Sequence, residues 1–154
     1  MNNYTEKDLS INIINKYKDK YKTLKHIRFN KDTKGKCLFD KNNLIGIIQV
    51  DINRQYILAL EVFDPYKRKG YGGVLLKIAE SKLNANKLSV NKKNISAISL
   101  YKQNGWKIYD EDDNMFYMKK GGEKARKEEA KKQEPVAEST RYTGLFESFL
   151  DGNY

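Results

Sequence analysis

Two short segments of this sequence combine residue types that could hold an anion and donate a proton. The first, Lys67–Gly73, is a basic turn with three glycines, and it precedes a helix-forming stretch. Backbone amides at a helix N-terminus bind phosphate oxygens, and glycine lets the chain approach them closely. The second, Asn94–Trp106, carries Asn94 and Tyr101 on one predicted helix. The two segments therefore predict a diphosphate cradle and a phenol that point into one cleft.

The glycine turn alone is a weak signal. It is not a Walker loop, because no Gly-Lys-Ser/Thr follows, and it lacks the third glycine of a dinucleotide fingerprint. A tight strand-to-helix turn without a ligand stays open as the alternative for Lys67–Gly73. For Tyr101 the alternative is a helix tyrosine that packs on a sheet.

Taken together, the two segments resemble the GCN5-related N-acetyltransferase (GNAT) superfamily, over about Leu44 to Lys119. Members carry Arg/Gln-x-x-Gly-x-Gly/Ala after the central strand, and this sequence has Lys67-Arg68-Lys69-Gly70-Tyr71-Gly72, with Lys in the first position. Members also carry Asn-x-x-Ala-x-x-Leu-Tyr-x-x-x-Gly-Phe. The matching residues are Asn94, Ala97, Leu100, Tyr101 and Gly105, with Trp106 in place of Phe.

The resemblance implies an N-acetyltransferase that moves an acetyl group from acetyl-CoA to a primary amine by direct attack in a ternary complex. It implies that the pantetheine arm pairs with backbone near Val62 and bonds to Asn94, and that Tyr101 is the catalytic acid. The phenol is protonated at neutral pH and can protonate the departing thiolate. The implied cofactor-binding residues are Val62, Phe63, Arg68, Lys69, Gly70, Tyr71, Gly72, Gly73, Asn94 and Tyr101.

The attacking amine must lose a proton, and Glu61 is the first candidate for the catalytic base. It is the one carboxylate in the apolar segment Gln55–Phe63, and a buried charge is costly unless it is paired or faces a cleft. The alternative is that Glu61 forms an ion pair and takes no part in the chemistry. Asp64 is the second candidate, and His26, the only histidine, is the weakest.

The sequence lacks the residues that a metal site or a cysteine nucleophile would require. One histidine and one cysteine do not make a zinc site, and no carboxylate cluster has metal-ligand spacing, so no metal is predicted. Cys37 has no motif partner that would make it a nucleophile. The acidic run Asp110–Asp113 is interpreted as a solvated turn, with attraction of a cationic acceptor as the alternative.

The elements that must position these residues form a mixed α/β pattern. The sequence predicts strands over Leu44–Ile52 and Gln55–Phe63, a helix over Gly70–Ala85, a strand over Lys87–Val90 and a helix over Ser96–Asn104. Two final strands, Trp106–Tyr109 and Met115–Lys119, follow. The fold class expected from the resemblance is a mixed, mostly antiparallel sheet flanked by helices, with a V-shaped notch between two parallel strands.

The early part of the chain carries weaker signals. Thr5 is predicted to cap a helix that includes Leu9 and Ile13, and His26–Phe29 is predicted as a short strand. Asp32–Gly35 reads as a turn, and Asp40–Asn43 as a hairpin turn after a short strand, Lys36–Phe39.

Charge and composition divide the chain in two. The net charge is +10, and residues 1–120 hold 24 basic and 13 acidic side chains, whereas residues 121–154 hold 6 and 7. We predict an acyltransferase domain over 1–120 and a charged linker with an aromatic tail over 121–154. A compositional bias towards lysine, together with attraction of a phosphorylated cofactor, explains the basic surface better than a nucleic-acid partner does.

The polar start of the chain and the lack of a long apolar run predict a cytoplasmic location without membrane contact. A homodimer is left open. The alternative function is a catalytically silent binding or assembly module, phage- or ribosome-associated, that docks a protein partner through Tyr142–Leu150.

Overall fold

The computed structural model describes residues 3–121, which form one seven-stranded sheet with helices on both faces. Strands β1 to β7 span Thr5–Asp8, Thr33–Asp40, Asn43–Asp51, Tyr56–Val62, Lys87–Asn91, Trp106–Glu111 and Met115–Lys120. Helices α1, α2 and α3 span Ile11–Tyr17, Tyr71–Lys82 and Ile95–Gln103, and a 3₁₀ helix spans Lys22–His26. The strand order is β1-β2-β3-β4-β5-β7-β6.

The sheet is antiparallel except at the junction of β4 and β5, which confirms the predicted mixed, mostly antiparallel class. The two parallel strands pair at one position, Tyr56 with Lys87. Beyond that pair β4 continues to Val62 and β5 to Asn91 without pairing to each other. The strands therefore splay apart and leave a notch in the middle of the sheet, as predicted. We call this opening the notch.

Each face of the sheet has its own apolar cluster. On one face, α2 and α3 pack on Leu60, Val62, Leu88 and Val90. On the other face, α1 and the 3₁₀ helix pack on a second cluster that includes Ala59 and Phe63. Successive side chains of a strand point to opposite faces, so on β4 Leu60 and Val62 lie on the side of α2 and α3, and Ala59 and Phe63 lie on the side of α1.

The prediction that Thr5 begins a helix was wrong. Thr5–Asp8 forms β1 and pairs with β2, with Thr5 opposite Phe39. The helix begins later, because Ser10 is its N-cap and accepts a hydrogen bond at Oγ from the amide of Ile13 at 3.3 Å. A threonine followed three residues later by an acidic residue is compatible with a strand as well as with a helix cap. Here the segment forms a strand because it pairs with a strand that is distant in sequence.

Two other early predictions also failed. No strand forms over His26–Phe29, because His26 ends the 3₁₀ helix and residues 27–29 are irregular chain. The turn predicted at Asp32–Gly35 comes earlier, because β2 already begins at Thr33. By contrast, the hairpin turn after Asp40 is confirmed, since β2 ends there and β3 begins at Asn43.

Within residues 3–121, no helix is long and apolar enough to cross a membrane. The segment Tyr142–Leu150, predicted to contact a partner, lies outside the described residues.

Candidate functional site

The glycine turn ends as a helix N-terminus without a side-chain cap. Gly70 is the N-cap of α2, with φ 93° and ψ 0°, a left-handed conformation that favours glycine. No side chain in the described part of the chain caps this helix, and its first turn holds no acidic residue. The first-turn amides have no acceptor within the helix. They are therefore available to an anion.

The space in front of this turn is open. A Cβ added to Gly73 would meet no atom within 4 Å. Arg68 and Lys69 are exposed beside it, and Arg68 has a positive φ of 61°. The turn therefore combines exposed positive charge, open space at Gly73 and helix amides without an intrahelical acceptor.

Asn94 uses only half of its side chain within the protein. It is the N-cap of α3, and its Oδ1 accepts a hydrogen bond from the amide of Ala97 at 3.2 Å. Its Nδ2 is buried and has no hydrogen-bond partner in the described region. The amide group is thus held in place through its oxygen, while its nitrogen can donate to a carbonyl that enters from outside.

Tyr101 lies on α3 and is fully buried at 0% exposure. Its ring packs against Trp106, with ring centroids 6.3 Å apart, and its hydroxyl has no hydrogen-bond partner among residues 3–121. Burial raises the pKa of this phenol, so it stays protonated through neutral pH.

At the end of β4, the backbone groups of Val62 and Phe63 were both predicted to bind the cofactor, but those of Phe63 are already hydrogen-bonded within the protein. The amide of Phe63 donates to the carbonyl of Ile45 at 2.8 Å, and its carbonyl accepts from the amide of Tyr66 at 2.7 Å. Because backbone groups alternate along a strand, the Val62 amide points the other way, towards the notch. Of the two predicted residues, only Val62 therefore has a backbone amide available to a ligand. Phe63 can contact a ligand only through its ring.

Glu61 is buried at 6% exposure between Leu60 and Val62 on β4. Those two neighbours pack on the face of α2 and α3, so Glu61 points to the face of α1. Tyr101 belongs to the opposite face. The predicted acid and the predicted base thus stand on opposite sides of the sheet, next to the notch that joins them.

Two contributors near this region were not predicted from sequence. Ser89 on β5 is fully buried, and its Oγ has no hydrogen-bond partner in the described region. The sequence signal is a lone polar residue between Leu88 and Val90, the same pattern that drew attention to Glu61. Tyr21 stacks on Phe63, with ring centroids 4.0 Å apart, and no local pattern relates those residues.

A further unpredicted cluster ties α2 to the end of the sheet. Trp106 donates its indole hydrogen to Oε2 of Glu80 at 3.0 Å, and Lys120 forms an ion pair with Oε1 of Glu80 at 3.1 Å. Lys120 also donates to the carbonyl of Asn104 at the end of α3. The ring that Tyr101 packs against is therefore held by the same helix that carries the glycine turn.

The remaining candidates are structural or exposed. Burial raises the pKa of the Cys37 thiol to about 12, and the thiol donates to the carbonyl of Lys7 at 3.4 Å. His26 and Asp64 are exposed. In the part of the chain that the structure describes, no group of three His, Cys, Asp or Glu could hold a metal ion. Two surface cavities, of about 450 and 420 Å³, contain none of the predicted site residues.

The family model for the acetyltransferase (GNAT) domain matches residues 3–118. Among curated proteins, no sequence matches significantly.

Solved structures give the same fold. The ribosomal-protein-S18-alanine N-acetyltransferase from Escherichia coli aligns with TM-score 0.60 and 15% identity, over 78% of this chain and 97% of that one. The PaiA N-acetyltransferase from Thermoplasma acidophilum, in complex with coenzyme A, aligns with TM-score 0.54 and 26% identity, over 74% and 80%. The Campylobacter jejuni N-acetyltransferase PseH aligns with TM-score 0.51 and 23% identity, over 77% and 99%.

Proposed function

This chain belongs to the acetyltransferase (GNAT) domain family, and solved structures of similar fold hold acetyl-CoA or CoA; from that premise we propose how it acts. It transfers the acetyl group to a primary amine by direct attack in a ternary complex. The observation that carries this proposal is the notch. The parallel strands share one pair, and Asn94 and Tyr101, which belong to the donor motif, keep buried polar atoms without a partner in the described chain.

The donor occupies the notch in this proposal. Amides of Tyr71, Gly72 and Gly73 bind the diphosphate, and Arg68 and Lys69 supply charge around it. The pantetheine arm runs along the free edge of β4, where Val62 offers its amide. Asn94 donates from Nδ2 to an amide carbonyl of that arm. Such a ligand would satisfy groups that the protein leaves unpaired, which is expensive in any other role.

The chemistry forms one bond and breaks another. The amine nitrogen attacks the thioester carbonyl carbon, so a C–N bond forms and the C–S bond breaks. The Val62 amide stabilises the negative charge that develops on the carbonyl oxygen. Tyr101 donates its proton to the departing sulfur, and the phenol recovers a proton from solvent after CoA leaves. Because burial raises the pKa of the phenol, the proton stays on oxygen until charge develops on sulfur.

Glu61 accepts the proton that the amine loses, directly or through a water. Its position on the α1 face means that the amine arrives from that side, opposite Tyr101. Attack and departure are then separated by the sheet. The stacked rings of Tyr21 and Phe63 lie on the amine side and form an apolar wall beside Glu61.

The acceptor is a small amine, a peptide N-terminus or a lysine. Similar folds include an enzyme named for an alanine of a ribosomal protein and mutant forms of a spermidine/spermine N-acetyltransferase from Vibrio cholerae. An alanine N-terminus and spermidine both contain a primary amine. We therefore propose a panel of spermidine, an alanine-initiated peptide and a lysine derivative as the first acceptors to assay.

The test has two parts. Acetyl-CoA is titrated into the full chain by calorimetry, and release of free CoA thiol is then followed with each amine. We expect saturable binding and amine-dependent thiol release. Absence of heat at high micromolar acetyl-CoA would overturn the proposal and leave the binding-module alternative.

A further inference from the structure

A fully buried serine stands beside the notch with its hydroxyl unused. Ser89 has 0% exposure, and its Oγ has no hydrogen-bond partner in residues 3–121. A serine hydroxyl rotates freely and usually finds a partner, since most buried polar groups are bonded. Leaving it unpaired is unfavourable, so a partner is expected to come from outside the described chain.

The position of Ser89 relates it to the amine side of the notch. Leu88 and Val90 pack on the face of α2 and α3, so Ser89 points to the face of α1, as Glu61 does. It lies two residues beyond Lys87, the last residue of β5 paired with β4. On its other side β5 is paired with β7, where Ser89 faces Tyr117.

The register places Ser89 and Glu61 close to the same opening. The register of β3 with β4 passes from Ile57 to Ala59, so Leu58 is an extra residue in β4. Ala59 is then level with Ser89 across the notch, and Glu61 lies two residues, or about 7 Å, further along the strand. An amine between these two side chains could contact both.

We infer that Ser89 is a specificity-determining residue that binds the acceptor amine and selects primary over secondary amines. This inference rests on the proposed function. A neutral primary amine has two N–H groups: one loses its proton to Glu61, and the other donates a hydrogen bond to Ser89 Oγ. A secondary amine has one N–H, so it cannot satisfy both acceptors. A site built to bond an N–H discriminates against an analogue that lacks it.

The test compares one acceptor from the amine panel with its N-methyl derivative. Ser89→Ala removes only the hydroxyl, and Ser81→Ala removes an exposed hydroxyl on α2 as the matched control. We expect Ser89→Ala to lower kcat/KM for the primary amine about tenfold, in line with one hydrogen bond. The N-methyl amine should lose nothing further, and the KM for acetyl-CoA should not change. The thermal midpoint should hold or rise, because a buried unpaired hydroxyl has been removed.

Three outcomes would overturn the inference. They are unchanged discrimination between the two amines, a raised KM for acetyl-CoA instead of a lowered rate with the amine, and a loss of rate matched by a fall in the thermal midpoint. The last would mean that the hydroxyl serves the fold.

A binding measurement separates this inference from the proposed reaction. n-Butylamine is titrated into the CoA-loaded wild-type and Ser89→Ala proteins. We expect weaker binding to the variant. Equal binding, or no binding to the wild type, would contradict the role of Ser89. If n-butylamine binds better to the wild type than to Ser89→Ala but no acetyl transfer occurs with any amine, the proposed reaction fails while the amine contact stands.

Discussion

The acidic turn between β6 and β7 and the notch between β4 and β5 both concentrate polar side chains, but they use them differently. In the turn, Asp112 Oδ1 accepts from the amides of Asn114 and Met115 at 2.8 and 2.7 Å, and Oδ2 accepts from the Tyr117 hydroxyl at 2.6 Å. Glu111 forms an ion pair with Lys92 at 2.6 Å. The acidic run is therefore occupied in building its own turn.

On β5 and α3, which flank the notch in sequence order, three polar atoms are buried and have no hydrogen-bond partner within residues 3–121. Ser89 Oγ, Asn94 Nδ2 and Tyr101 OH have no hydrogen-bond partner in the described chain. Such groups are expensive to bury, and a fold tolerates them where a ligand completes the bonds. The two regions therefore differ in how fully their polar atoms are hydrogen-bonded: the carboxylate of Asp112 is bonded within its own turn, whereas the region around the notch keeps polar atoms that are unpaired in the described chain, and there we propose that the substrate binds. The alternative that the acidic run attracts a cationic acceptor loses support, because the carboxylates of Glu111 and Asp112 already have partners.

The largest effect is expected from Tyr101→Phe. If the hydroxyl acts only on the departing sulfur, kcat should fall about 10²- to 10³-fold, as when one transition-state donor is removed. Acetyl-CoA affinity should stay nearly constant. Stability should not decrease, because the deleted hydroxyl has no partner in residues 3–121. Steady-state kinetics, calorimetric titration and thermal unfolding measure the three quantities.

A wild-type rate in Tyr101→Phe would remove the phenol from the mechanism. A large loss of stability would equally contradict the comparison, since it would mean that the hydroxyl is bonded within the fold.

Glu61→Gln should give the next largest effect. The amide keeps the shape of the side chain but cannot accept a proton, so kcat should fall about 10²-fold at neutral pH. The deficit should shrink as the pH rises towards the amine pKa of about 10, because solvent then removes the proton. A pH–rate profile for the variant and the wild type measures this. A deficit that is constant with pH would assign Glu61 a structural role.

In the acidic turn, Asp112→Ala should reduce stability and leave catalysis intact. The change removes three hydrogen bonds, two of which act as a turn cap, and we expect a loss of about 1–2 kcal/mol in the free energy of unfolding. The exposed neighbour Asp113 provides the control, since Asp113→Ala should stay within about 0.5 kcal/mol of wild type. Urea unfolding gives the free energies, and the kcat of Asp112→Ala should equal that of the wild type. A tenfold loss of kcat would contradict this prediction and would indicate that the acidic turn contributes to catalysis.

The same residue predicts a pH dependence. The Tyr117 hydroxyl, and then the two backbone amides, hold the pKa of Asp112 below its usual value of 3.8. A carboxyl with a depressed folded pKa stabilises the fold above its unfolded pKa, and that contribution is lost as the pH falls through the folded pKa. The stability difference between wild type and Asp112→Asn should therefore be constant near neutral pH and shrink below about pH 4. An unchanging difference down to pH 2 would contradict the proposed role of the Tyr117 bond.

The comparison also explains what sequence could and could not predict. Asn94 and Tyr101 are seven residues apart, so their placement on α3 follows from local spacing, and Gly70 marks the start of α2 by its conformational freedom. Thr5 failed because its strand depends on pairing with Phe39, 34 positions away (39 − 5). The end of a helix depends on neighbouring residues and can be predicted from them. Which short segment pairs with the edge of a sheet depends on distant residues and cannot be predicted locally.

Whether a polar side chain finds hydrogen-bond partners in the fold cannot be predicted from the local sequence. Asp112 and Ser89 are both polar residues near hydrophobic strands, and nothing local marks one as bonded and the other as unpaired. The difference arises because the β6–β7 turn folds Tyr117 back onto Asp112, whereas splaying of β4 from β5 leaves Ser89 at an opening. Predicting the site in full would require the sheet order first.

The smallest effect, and the sharpest test of the cradle, is expected from Gly73→Ala. The new Cβ meets no protein atom within 4 Å, so the substitution costs no packing. Alanine is also favoured over glycine in a helix, and the free protein should gain about 0.5–1 kcal/mol. If the first turn of α2 binds the diphosphate, the methyl group lies where the ligand approaches, and acetyl-CoA affinity should fall severalfold while stability rises. Ser81→Ala, near the other end of α2, should leave affinity unchanged. Unfolding and calorimetric titration of the three proteins decide the matter: a Gly73→Ala protein that is more stable and binds acetyl-CoA as well as wild type would mean that the glycine turn serves only the chain reversal.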